Sequence, residues 1–145
     1  MVYLDTGALL ALYVAEAATA RVRARVLRLV AGEGAISAWT TLEFASAIAG
    51  RVRAGDVTDR DGREAVQALR HLADASFVQL TPIQSDFEAA QMLVEQFRSG
   101  LRAGDGLYLA IAHRVSARVF TLDRVMEKAA RALGLDTDDS VRGGE

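Results

Sequence analysis

Short apolar runs that alternate with amphipathic segments predict an α/β domain whose mainly parallel sheet is covered on both faces. Three observations carry that expectation. The runs "MVYLD" (1–5), "AIS" (35–37), "SFVQL" (76–80) and "ARVFTLD" (117–123) are apolar and of strand length. The segments between them have helical spacing and are punctuated by glycine or proline. No linker or internal repeat divides the 145 residues, which suffice for one core between two outer layers.

The first strand stops at Asp5. Residues 7–14 and about 18–31 read as helices, the second with Val22, Val26 and Leu29 on one face. Gly32 and Gly34 punctuate the chain ahead of the second strand. A helix over 41–54 is closed by Gly55, and another spans about 59–74, opened by Thr58 with Asp61 three residues on. Pro82 breaks the chain after the third strand. Ser85 and Glu88 have capping-box spacing for a helix expected to bury Phe87, Ala90, Val94 and Phe97. The next helix is 105–116, and the last, 124–133, is closed by Gly134. The polar end "DTDDSVRGGE" is expected to fray after a short edge strand near Leu135, giving one domain over 1–137 and a tail over 138–145.

Composition narrows the chemistry. Hydrophobic residues make up 51% of the chain, too many for a disordered tail protein, yet no run is long enough to span a membrane. The start has neither a basic region nor an apolar leader core, so a cytoplasmic location is expected. With no cysteine, disulfides, thiolate metal sites and a cysteine nucleophile are excluded. Two isolated histidines, His71 and His113, do not make a zinc site. A metal here is therefore held by oxygen, which favours Mg²⁺ or Mn²⁺. The net charge of −2 does not mark a general nucleic-acid binder, although sixteen arginines accompany the single Lys128.

Open parallel sheets bind ligands beyond the carboxyl ends of their strands, so acids at such ends are informative. Asp5 closes the first strand and Asp123 the fourth. Glu43 falls in the first turn of the helix after the second strand, and Asp105 opens the helix before the fourth. Each has a plain local role available. Glu43 follows Thr40 at capping-box spacing, Asp105 and Asp123 are natural N-caps, and Asp5 can start a turn. Collectively they are costly, because two unit charges about 4 Å apart repel by roughly 4 kcal/mol at an effective dielectric near 20. A divalent cation among them removes that cost, and phosphate chemistry is the commonest use of such a site.

The segments "VYLDTGALLAL", "TTLEFASAI", "RAGDGLYLAIA" and "VFTLDRVMEKAARALGL", carrying Asp5, Glu43, Asp105 and Asp123, resemble the four blocks of PIN-domain ribonucleases. The likeness is strongest to VapC-type toxins of bacterial toxin–antitoxin pairs and runs from residue 1 to about 137. It implies a PIN-like three-layer α/β/α fold, with four to five parallel strands in the order 3-2-1-4-5 and about seven helices. It also implies Mg²⁺- or Mn²⁺-dependent endoribonuclease activity with 5′-phosphate and 3′-hydroxyl products. The four acids would be both metal ligands and catalytic residues, cutting exposed loops of tRNA or ribosomal RNA. A VapB-like antitoxin and a homodimer are the implied partners. Gly7, Gly106 and Tyr108 depart from the family's usual serine, alanine and histidine, and none of these changes removes a carboxylate.

Around the acids, Thr6 and Thr121 are expected to orient Asp5 and Asp123 through hydrogen bonds. Arg102, Arg114 and Arg124 are the candidates for RNA-phosphate contact, and Trp39 and Tyr108 the aromatic platforms for a base. Gly104 is expected to turn the backbone sharply, aiming Asp105 into the site. Glu16 resembles a peripheral acid of the family. Residues 41–50 and the early "ALLALYVAEAA" are candidates to line an antitoxin groove or a dimer seam. A non-catalytic PIN-like module that binds RNA or protein is the alternative. Two aspartyl-phosphate enzyme classes fit less well: "DTG" lacks the D-x-D of dehalogenase-like phosphatases, and the only lysine lies in the last helix, unlike that of receiver domains.

Overall fold

A computed structural model describes residues 1–14 and 19–139. Four strands, β1 (Val2–Leu4), β2 (Gly34–Ser37), β3 (Val78–Leu80) and β4 (Arg118–Phe120), form one sheet in the order β3-β2-β1-β4, all parallel. Among the described residues seven helices accompany them: α1 (Thr6–Tyr13), α2 (Thr19–Val26), α3 (Ala38–Ala54), α4 (Asp59–Ser76), α5 (Gln84–Val94), α6 (Ala103–Arg114) and α7 (Arg124–Ala132). Beyond β4, Thr137 bridges Val119 in parallel, where a fifth strand is expected. Asp138 then pairs with Arg25 at 2.7 Å.

The pleat sorts each strand between two cores. Val2 and Leu4 of β1 join Ile36, Phe120, Leu9 and Phe44 on the face covered by α1–α4. Tyr3, between them, joins Ala35, Val119, Leu109, Ile111 and Met126 on the face covered by α5–α7. Because the strands are parallel, their carboxyl ends lie along one edge, which holds Asp5, Ser37 and Thr121.

Several local expectations are corrected. The α2 helix ends at Val26, and Arg28 and Leu29 close turns after it. The α3 helix begins at Ala38, because Ser37 and Thr40 form the capping box, so Glu43 sits in the second turn without a capping role. Asp86, not Glu88, caps α5, accepting from the Ile83 N–H at 2.9 Å. Phe87 is half exposed and Phe97 almost wholly so, since α5 stops at Val94 before Phe97 can turn inward. In α6, Asp105 is the third helical residue rather than the cap. A Cβ on Gly106 would stand 3.1 Å from the Ala90 carbonyl oxygen, so glycine there is what lets α5 and α6 pack closely.

Candidate active site

Asp5 ends β1 and caps α1. Its Oδ1 accepts from the Ala8 N–H at 2.7 Å, and its Oδ2 from the Thr121 hydroxyl at 2.5 Å. Thr121 in turn accepts the Asp123 N–H at 2.9 Å, so one hydroxyl ties the end of β4 to the end of β1. Asp5 is only 7% exposed. Burial pushes its carboxyl up to about 6, against the two hydrogen bonds, and the negative charges of Glu43 and Asp123 push the same way.

Glu43 lies beside this pair. Its Oε2 accepts from the Thr6 hydroxyl at 2.7 Å, and the Tyr108 hydroxyl stands 2.8 Å from the same Thr6 oxygen. Thr6 has one proton and spends it on the carboxylate, so Tyr108 is the donor to Thr6. Burial pushes Tyr108 well above the ordinary phenol value and Tyr3 up to about 12, so both rings keep their protons. Tyr3 meets Ser37 at 2.7 Å, and Ser37 meets Thr40 at 3.2 Å. A layer of buried hydroxyls thus underlies the carboxylates. Thr6 was expected to orient Asp5; it grips Glu43 instead.

The other two acids rest on helix starts. Asp123 caps α7, its Oδ1 accepting from Val125 at 2.7 Å and Met126 at 3.1 Å. Asp105 Oδ2 accepts from the Arg102 N–H at 2.9 Å. A Cβ on Gly104 would come 3.0 Å from Glu43 Oε1 and 3.2 Å from the Trp39 ring. Gly104 is therefore required by close approach within a helical turn, not by the sharp bend expected from the sequence. That approach places Glu43 against the turn that carries Asp105.

The four acids are strung along one edge, linked through Thr121, Thr6 and Gly104. They are not drawn into the tight cluster the sequence suggested, and among the described residues no three His, Asp or Glu side chains form a ready-made metal site. Even so, Glu43 Oε1, Asp105 Oδ1 and Asp123 Oδ2 each lack a hydrogen-bond partner among the described residues. The donors are all oxygen, and like charges press on a buried carboxylate. Such a set fits a hard divalent cation.

Other sequence-stated candidates sort by position. Arg102 and Arg124 are exposed beside Asp105 and Asp123. Arg114 lies at the far end of α6, forked onto Asp86 at 2.7 and 2.9 Å and bonded to the Thr81 carbonyl, which removes it from the phosphate set. Tyr108 is buried with its ring 5.2 Å from that of Tyr3, so it is no platform for a base. Trp39 is half buried, and its Nε1 is enclosed without a partner among the described residues. Exposed His71 and His113 have no part in the edge. Glu16 lies outside the described residues. A groove of about 830 Å³ does run along Ala45, Ala49 and Val52 of α3, but α4 supplies its other wall. Ala8, Leu9 and Ala11 of α1 are in the core instead.

A profile of the PIN domain matches residues 2–132. The chain belongs to the PIN-domain family. This PIN domain matches no curated protein sequence. Among solved structures it resembles a chain of the FitAB complex bound to the IR36 DNA fragment, with a TM-score of 0.74 and 18% identity over 100% of this chain and 99% of that one. VapC20 of Mycobacterium tuberculosis, described as a sarcin–ricin-loop-cleaving toxin, gives 0.73 and 14% over 89% and 95%. A chain of VapBC-1 from nontypeable Haemophilus influenzae gives 0.67 and 17% over 98% and 100%. No helix among the described residues of this PIN domain is long and apolar enough to cross a membrane.

Proposed function

We propose that this PIN domain is a Mg²⁺- or Mn²⁺-dependent endoribonuclease, the toxin of a toxin–antitoxin pair. The observation that carries the reading is Asp5, buried at the carboxyl end of β1 beside Glu43 and Asp123, on an edge where Glu43, Asp105 and Asp123 each keep a carboxylate oxygen without a partner among the described residues. Asp5, Glu43, Asp105 and Asp123 would hold the cation. When bound, it would polarise the phosphodiester and supply an ionised water for in-line attack.

The chain's own groups prepare the edge for that chemistry. Thr121 holds Asp5 by donating to it and holds Asp123 by accepting its backbone N–H. Thr6, fed by Tyr108, keeps Glu43 turned toward the Gly104 turn. Arg102 and Arg124, exposed beside Asp105 and Asp123, would meet the phosphates of a strand crossing the edge. With the 3′ oxygen as the group that leaves opposite the attacking water, the products would carry 5′-phosphate and 3′-hydroxyl ends, as the family resemblance implies.

The neighbours support the choice of substrate and partner. VapC20 is described as a sarcin–ricin-loop-cleaving toxin, and another similar structure, at 18% identity and a TM-score of 0.61, is described as a toxin–antitoxin complex from Klebsiella pneumoniae. An exposed loop of ribosomal RNA or tRNA is the substrate we assign, and an antitoxin seated in the groove between α3 and α4 the inhibitor. A homodimer is the expected assembly. The decisive assay is cleavage of structured RNA by purified protein. Cutting that needs Mn²⁺, stops with EDTA and vanishes in a folded Asp5→Asn variant upholds the reading. RNA binding with no turnover under any divalent cation would make the chain a binding module instead.

A further inference from the structure

Between α7 and the segment after α5 lies an open groove of about 570 Å³. Its charged lining is Arg98, Arg124 and Lys128, and no Asp or Glu lines it. All three cations are exposed, and none forms an ion pair among the described residues. Arg25, Arg60, Arg63, Arg114 and Arg131 are each held by a carboxylate, while Arg53, Arg70 and Arg118, elsewhere on the surface, are in no ion pair among the described residues. What sets the groove apart is that its three cations line one cavity without an acid.

The charge is costly where it stands. Arg124 opens α7 and Lys128 follows four residues later, so two like charges share one helix face. Arg124 also sits at the positive end of the helix dipole, where a cation is disfavoured and the capping Asp123 carboxylate offsets only part of the cost. An anion in the groove relieves both penalties.

The groove also adjoins the acid edge at two points. Arg124 follows Asp123, and Leu101, another lining residue, precedes Arg102 and the Asp105 turn. Next to Arg98 stands Phe97, 89% exposed and the most exposed large hydrophobic among the described residues. Its φ of 51° is left-handed, a conformation a bulky side chain rarely adopts.

We infer that this groove carries the backbone of single-stranded RNA as it leaves the acid edge, with an unstacked base on Phe97. The inference rests on the nuclease reading above and adds a binding track to it. Cations unencumbered by acids follow phosphates, and an exposed ring offers a stacking face that any base can use. Base-paired RNA would present no free base to Phe97.

The test uses the full chain in EDTA, so that binding is read without turnover, and a short dye-labelled single-stranded oligoribonucleotide as probe. Fluorescence anisotropy gives log Kd against log salt concentration, and each lost phosphate contact flattens that slope by about 0.7. Arg98→Gln combined with Lys128→Gln should flatten it by about 1.4 and weaken binding several-fold at low salt. Phe97→Ser should weaken binding at every salt concentration without altering the slope. Arg53→Gln, on α3 across the sheet, should change neither, and melting curves should show all variants folded. An unchanged slope and affinity in the double variant overturns the groove, even if the wild type cuts RNA. The expected slopes without any cleavage on adding Mn²⁺ uphold the groove and overturn the nuclease reading. No binding of the probe by the wild type overturns the groove outright.

Discussion

Asp5 and Glu43 are held by side-chain hydroxyls within the fold, whereas Asp105 and Asp123 are held by backbone N–H groups at helix starts. A carboxylate on a helix start is favoured by the dipole and contributes to stability whether or not a ligand is present. Asp5 caps α1 as well, yet its burial and its acidic neighbours leave the charged form disfavoured. The contrast separates two kinds of site residue. In the proposed site the helix-start pair would serve fold and chemistry together, while Asp5 keeps a charge the fold alone would not choose.

The largest effect that can break this contrast is Asp5→Asn. Cleavage should disappear, yet the metal-free protein should become more stable at neutral pH. Folding raises the Asp5 pKa from 3.8 to about 6, so the stabilisation from its protonated form is complete below about pH 4 and is lost as the pH rises through about 6. Removing the charge should therefore recover about 1–3 kcal/mol near pH 7. Melting curves between pH 4 and 8 should slope downward for the wild type and be flatter for the variant. A less stable variant that still cuts RNA contradicts the contrast.

Thr6→Val and Tyr108→Phe come next. Loss of a hydrogen bond that aims a metal-binding carboxylate typically costs about 10–100-fold in activity or metal affinity. Thr6→Val, which touches Glu43 directly, should lie toward the upper end and Tyr108→Phe toward the lower. Steady-state cleavage beside Mn²⁺ affinity checks the order, and unchanged values in both variants would reduce the hydroxyl layer to packing.

Asp123 sharpens the comparison through two substitutions. Asparagine also caps helices, so Asp123→Asn should keep the melting temperature and lose cleavage. Asp123→Ala should lose cleavage and also about 0.5–2 kcal/mol of stability. Equal stability of the two variants would show that the cap contributes nothing. The smallest effect is expected from Gly7→Ser. The nearest atoms a Cβ there meets belong to the Asp5 carboxylate, at 3.6 Å and beyond, which is ordinary contact. Relative to glycine, serine should add a few tenths of a kcal/mol to helix stability, read as a slightly higher melting temperature.

Much of this was legible in the residues. Short apolar strands closed by Asp5 and Asp123 located the edge, because parallel topology leaves little choice of where their carboxyl ends lie. The plain local role open to Glu43, a cap with Thr40, is not taken, since Ser37, three residues ahead of Thr40, fits the same spacing and wins. Phe97 was assigned to the core by helical period, but the period applies only while the helix continues. Gly104 looked like a turn residue because a glycine's reason, conformational or steric, depends on what lies opposite it. Tyr108, read as a surface for bases, became a buried donor because it sits on the inward side of a helix covered on nearly every face. The spacing of the four acids was not legible at all, since it depends on how far α3 and α6 approach each other.

Calorimetric titration of Mn²⁺ into the wild type and Asp5→Asn, in the absence of RNA, tests the central claim most directly. The account predicts saturable binding by the wild type that is lost, or weakened by at least an order of magnitude, in the variant. Equal binding by both, or none by the wild type, would contradict it.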